Sequence, residues 1–164
     1  MKVIFLDVDG VLNSSDFADK MREEENVNVF YEDMLDKRAI FRLKRIVDTT
    51  GALIVLSSSW RLIERSRMAV IDQLQSAAGL QIEDVTPKIT ISGSCRGDEI
   101  MSWLIEHPDI ERIVILDDDS DMSCLSDFLV QTTFKSGLKK EHAMKAISIL
   151  NGTDAINRPW RKPT

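Results

Sequence analysis

Three short apolar runs constrain this chain more than anything else in it: "VIFL" at 3–6, "ALIVL" at 52–56 and "RIVIL" at 112–116. None alternates with polar residues, which is the pattern of strands buried on both faces of a parallel sheet. The residues just after each run are equally telling. The first breaks into "DVDG", the second into "SSSWR" and the third into "DDDSD". A parallel α/β sheet binds ligands beyond the carboxyl ends of its strands, so this topology would gather all three polar ends at one edge.

The segments between the runs fit that scheme. Residues 37–50 carry Ile40, Leu43, Ile46 and Val47 at helical spacing, with Gly51 as a stop. Helical patterns recur at 62–78, 98–107 and 140–150, and further strands are expected at "FLVQTT" (128–133) and, briefly, at "KITIS" (88–92). Residues 14–36 are polar and acidic and read as a flap or loop with one or two short helical turns. Residues 152–164 lack apolar periodicity and are expected to be a loose tail, leaving one domain over 1–151. A chain of 164 residues is long enough for a proper core.

The net charge of −6 argues against broad, non-specific binding to nucleic acid or membrane surfaces, and leaves room for a local basic site. Cys95 and Cys124 show neither metal-ligand spacing nor a disulfide framework, so they read as free thiols in a reducing compartment. With no signal-peptide pattern and no membrane-length apolar run, a cytoplasmic protein is expected, and a monomer is the favoured state.

If the strand ends lie side by side, Asp7, Asp9, Asp117, Asp118 and Asp121 converge on one pocket. Such a group cannot ionise together without a cation, and an all-oxygen ligand set favours a hard ion such as Mg²⁺. Mg²⁺ commonly shares its shell with substrate phosphates, so a phosphorylated partner is expected. Serine hydroxyls after the second run can bond phosphate oxygens, and Arg96 at a helix start can add positive charge. One aspartate can act as a nucleophile, and a second two residues on is placed for proton transfer.

"FLDVDGVLN", "VLSSSWR", "RGDEIMSWL" and "VILDDDSD", in this order, resemble the four motifs of the haloacid dehalogenase (HAD) superfamily of phosphohydrolases. More narrowly, with "TTFKSGLKKEHAMKAISIL", the chain resembles over residues 1–151 the small HAD domains of multifunctional RNA-repair proteins, distant relatives of the polynucleotide kinase-phosphatases. The resemblance implies a three-layer Rossmann-like fold with a mostly parallel sheet, capless or with only a short flap after the first strand. It implies Asp7 as the nucleophile and Asp9 as general acid, then base. Mg²⁺ would be held by the Asp7 side chain, the Asp9 main-chain carbonyl and either Asp118, the first choice, or Asp117 beside it, with Asp121 acting through water. Ser57 would contact the phosphoryl group, Arg96 would be the basic residue of the third motif with Lys88 in reserve, and Ser58, Ser59 and Arg61 would hold substrate.

Other features have plainer readings. Cys95 lacks a paired base, His107 and His142 need no catalytic role, and Trp60 and Trp103 read as core residues. The implied substrate is a polynucleotide 3′-phosphate. Small metabolites, nucleotides and phosphoproteins remain alternative substrates, and a non-catalytic module that binds Mg²⁺ and phosphate is the alternative from another class.

Overall fold

The computed structural model describes residues 1–25, 34–155 and 159–160. Its centre is a five-stranded, all-parallel sheet of order β3-β2-β1-β4-β5. The strands are β1 (Lys2–Leu6), β2 (Leu53–Leu56), β3 (Asp84–Val85), β4 (Arg112–Asp117) and β5 (Leu129–Gln131). The helices are α1 (Ser15–Glu25), α2 (Lys37–Thr50), α3 (Glu64–Ala78), α4 (Arg96–Glu106) and α5 (Lys140–Asn151). Two 3₁₀ turns, Ser59–Leu62 and Ser123–Phe128, complete the chain's regular elements among the described residues. The expected α/β fold with its parallel sheet is therefore present.

Successive strand residues point to opposite faces, and this period of two sorts the core. Ile4 and Leu6 of β1 pack with Ile54, Leu56, Val114 and Leu116 against Ile40, Leu43, Leu74 and Ala146 of α2, α3 and α5. Val3 and Phe5 pack instead with Val55, Ile113 and Ile115 against Ile100, Trp103 and Leu104 of α4. Phe5 meets the Trp103 ring edge-on at 5.4 Å. Helix α2 shows why these segments start and stop where they do. The Asp36 side chain accepts from Arg38 N at 2.8 Å, and Gly51 ends the helix at φ 67°, a left-handed geometry that suits glycine.

Three expectations need correction. The strand expected at 88–92 is not formed; the sheet edge is taken by Asp84–Val85, in register with Val55 and Leu56. The two apolar positions of "KITIS" share no buried face: Ile91 is 76% exposed and Ile89 half-buried. The acidic stretch after β1 begins with the three turns of α1, longer than expected, while the rest of that expected flap at 26–33 lies outside the described residues. In the tail, Trp160 is buried rather than loose. It packs against Phe128 with ring centroids 6.5 Å apart, and its N–H donates to Glu111 O at 2.7 Å. A single aromatic anchor leaves no periodicity to read. Among the described residues no helix is long and apolar enough to cross a membrane.

Candidate active site

The period that sorts the core also builds the site. Asp7 continues the Val3–Phe5 face of β1, Ser57 continues the Val55 face of β2, and Asp117 continues the Ile113–Ile115 face of β4. Backbone bonds carry the register past the strand ends, from Asp7 N to Leu116 O at 2.9 Å and from Ser57 N to Leu6 O at 2.8 Å. All three side chains thus emerge on the side of the sheet where α4 begins with Arg96.

One oxygen from each of Asp7, Asp117 and Asp118 lies within 4.8 Å of the others. Asp7 and Asp117 are buried and Asp118 half-buried. Burial is the main cause that pushes the Asp7 carboxyl up to about 6, against the opposing pull of Arg96, the Ser58 hydroxyl and Val8 N–H. Burial, then the Asp7 charge, pushes Asp117 up to about 7, although Asp119 N donates to it at 2.9 Å. Burial and Asp119 raise Asp118 as well. Three carboxyls that resist ionisation together fit the ligand set of a hard divalent cation such as Mg²⁺, with positions left for water and phosphate oxygens. Gly10 makes the cluster possible. At φ 68°, a Cβ there would stand 2.4 Å from Asp118 Cγ.

The Asp9 side chain is not one of these three, but it stands close enough for its charge to raise Asp7 and Asp118. Its two oxygens accept from Asn13 Nδ2 at 2.8 Å and from the Trp60 indole N–H at 2.9 Å. Asn13 Oδ1 in turn accepts from Gly10 N at 3.1 Å, closing the loop on itself. Trp60 is buried as expected of a core residue, yet its one polar atom orients the second aspartate.

The serines divide. The Ser58 hydroxyl hydrogen-bonds Asp7 and accepts from Trp60 N at 3.3 Å, whereas Ser57 Oγ accepts from the Thr86 hydroxyl at 3.5 Å. Ser58, ranked behind Ser57 from the motif, is the one that touches Asp7. Ser59 is exposed.

Arg96 spans the site at ion-pair range: 3.9 Å to Asp7, 3.7 Å to Asp117 and 3.9 Å to Glu99. Lys88 is exposed and pairs with Glu99 at 3.2 Å. Arg61 lies largely inside the fold. Its guanidinium is 2% exposed and donates to Thr86 O, Ser58 O, Pro87 O and Glu99 Oε2, at 2.8, 2.6, 3.1 and 2.6 Å respectively. It braces the turn after β2 and also lines the hollow beside Arg96. Burial lowers its pKa, opposed by Glu99. Burial works to raise Glu99, but Arg61 and the donors Lys88 and Ile89 N outweigh it and hold the carboxyl below its ordinary range. Asp121 also holds a helix start. Its Oδ2 accepts from Arg96 N and its carbonyl from Gly97 N, both at 3.1 Å, so it pins the start of α4. A Cβ at Gly97 would strike Met122 O at 2.2 Å, which explains that glycine. Beside these cations opens a hollow of about 150 Å³ lined by Ser59, Lys88, Ser94, Arg96 and Glu99 among others.

Asn13, Trp60 and Glu99 are the site residues that sequence reasoning missed. An all-parallel sheet carrying aspartates at two adjacent strand ends, with an arginine at the start of the helix above, defines a domain of the HAD superfamily. The chain belongs to the family described as the HAD domain in Swiss Army Knife RNA repair proteins, whose model matches residues 3–143. That family implies a phosphohydrolase-type function. No curated protein and no solved structure matches the chain.

Proposed function

We propose that this domain hydrolyses phosphomonoesters with Mg²⁺ through an aspartyl-phosphate on Asp7, and that its substrate is the 3′-phosphate end of a polynucleotide. The observation that carries the reading is the position of Asp7, buried between Arg96 and the Asp117–Asp118 pair at the carboxyl edge of the sheet. Asp7, Asp118 and the Asp9 main-chain carbonyl, with Asp117 beside them, would hold the ion. Bound there, Mg²⁺ supplies the positive charge that lets the carboxylates ionise and draws charge from the phosphoryl oxygens.

An Asp7 oxygen attacks phosphorus and the bond to the leaving alcohol oxygen breaks. Asp9 gives that oxygen its proton. Asp9 then takes a proton from water, which attacks the phosphorus of the acyl phosphate, returning the Asp7 carboxylate and releasing inorganic phosphate. Arg96 and the Ser58 hydroxyl offer donors to the phosphoryl oxygens as charge builds on them, with Ser57 beside them and Ser59 at the rim. Arg96 serves as the basic residue because it reaches Asp7, whereas Lys88 pairs with Glu99.

The test is Mg²⁺-dependent phosphate release from 3′-phosphorylated RNA and DNA oligonucleotides, a 5′-phosphorylated one, a phosphopeptide and an aryl phosphate. Preference for the 3′ ends, abolished in Asp7→Asn, is expected. Equal rates across the panel would overturn the substrate assignment. Normal release by Asp7→Asn, with deamidation excluded, would overturn the nucleophile.

A further inference from the structure

A second cleft, of about 550 Å³, lies between α1 and the starts of α2 and α5. It shares two segments with the carboxylate site. Ser14 on its wall follows Asn13, which holds Asp9. Ser136, also on its wall, belongs to the loop after β5, in which the Thr132 hydroxyl donates to Gly10 O at 2.6 Å. Lys20, Arg38, Arg42, Lys139 and Lys140 all line the cleft. Lys20 pairs with Glu24 at 3.4 Å. Among the described residues no salt bridge joins Arg38, Arg42, Lys139 or Lys140 to a carboxylate. Arg42 donates to Leu138 O at 2.7 Å, and four acids, Asp16, Glu24, Asp36 and Glu141, also line the cleft, so its five cations exceed its acids by one.

Of these cations, Arg38 stands in the first turn of α2, after its cap Asp36, and Lys139 and Lys140 stand at the start of α5, beside Glu141. Helix N-termini favour negative charge, so lysine and arginine there repel the partial positive charge of the dipole. In a chain of net charge −6, this opening is locally positive, against the sign of the whole. The cations come from three helices and surround the cleft rather than a single point, which suits several phosphates in succession better than one.

We propose that this cleft seats the phosphodiester backbone of a single-stranded polynucleotide, whose end is then presented to Asp7. The presentation rests on the phosphatase reading above; binding in the cleft does not. Contacts of this type are sequence-independent and salt-sensitive.

The test measures fluorescence anisotropy of a labelled single-stranded oligonucleotide with a 3′-hydroxyl end, which has no phosphate to react, against the full chain. Replacing Arg38, Lys139 and Lys140 together by Gln should weaken binding on the order of tenfold and flatten the salt dependence by about 2 in log–log slope. Turnover of an aryl phosphate should be unchanged, and Asp7→Asn should bind as the wild type does. Should the triple variant melt early, the exposed pair Lys139→Gln/Lys140→Gln gives the same reading with a smaller shift. Equal affinity and salt slope in a folded variant, or no binding by the wild type, would overturn the proposal. Binding without any phosphate release would fault the phosphatase reading alone; release from aryl phosphate without oligonucleotide binding would fault the cleft alone.

Discussion

Arg61 donates from Nη2 to Glu99 Oε2 at 2.6 Å, with both side chains almost wholly removed from solvent. The pair ties the turn after β2 to the first turns of α4, and so fixes Ser58 and Arg96 relative to Asp7. Removing one partner of a buried pair leaves an uncompensated charge and costs about 3–5 kcal/mol. Glu99→Gln should therefore lower unfolding stability by about that amount in urea titrations. Arg61→Lys should also destabilise, because an ammonium cannot serve the four acceptors the guanidinium meets. A change under about 1 kcal/mol in Glu99→Gln would mean the pair is not structural.

Trp60 and Asn13 each donate to one oxygen of Asp9. Trp60→Phe removes the indole N–H and keeps most of the apolar bulk. The loss of one hydrogen bond, about 1 kcal/mol, predicts a roughly fivefold lower kcat with little change in KM. Steady-state kinetics on an aryl phosphate check this, and an unchanged kcat would mean that Trp60 does not position Asp9.

The pH dependence has a definite sign. A carboxyl whose folded pKa lies above its unfolded value stabilises fully below the unfolded value, and that contribution is lost as pH rises through the folded one. Asp7 and Asp117, raised from 3.8 to about 6 and about 7, place the window between those limits. Without metal these groups should weaken the fold across it. Mg²⁺ displaces their protons, so the Tm gain on adding Mg²⁺ should grow from about pH 5 to about pH 7.5. Thermal melts with Mg²⁺ and with chelator measure this; a gain that shrinks over the range would count against these carboxylates as ligands.

Gly10 combines φ 68° with the closest approach to Asp118. Gly10→Ala should cost about 1–2 kcal/mol in backbone strain and displace Asp118, weakening the Mg²⁺ effect on Tm. Full Mg²⁺ response in this variant would show that Asp118 need not stand against residue 10.

Much of this arrangement was legible from the chain itself, and the reason is periodicity. Apolar runs that end in Asp7 and Asp117 announce both the sheet and the edge where carboxylates meet, and Arg96 is marked by its place at a helix start. The residues that were missed depend on contacts no period encodes. Glu99 looks like any first-turn acid until Arg61 is found folded inward, and Trp60 looks like core until its single N–H is traced to Asp9. The carbonyl partners of Arg61 were hidden for the same reason: an arginine after a serine run suits substrate as well as carbonyls, and the path of residues 86–87 has no periodic mark. Trp160 anchors the tail by one ring, below what any pattern can show.

Asp7 as the phosphorylated group is the claim on which the proposed chemistry stands. The most direct measurement is rapid quench of the enzyme during turnover, with borohydride reduction of any acyl phosphate and peptide mass spectrometry. Homoserine in place of Asp7, formed as fast as phosphate is released and absent in Asp7→Asn, is the predicted result. Phosphate release with Asp7 unmodified at every time point, or with the reduced residue elsewhere, would contradict it.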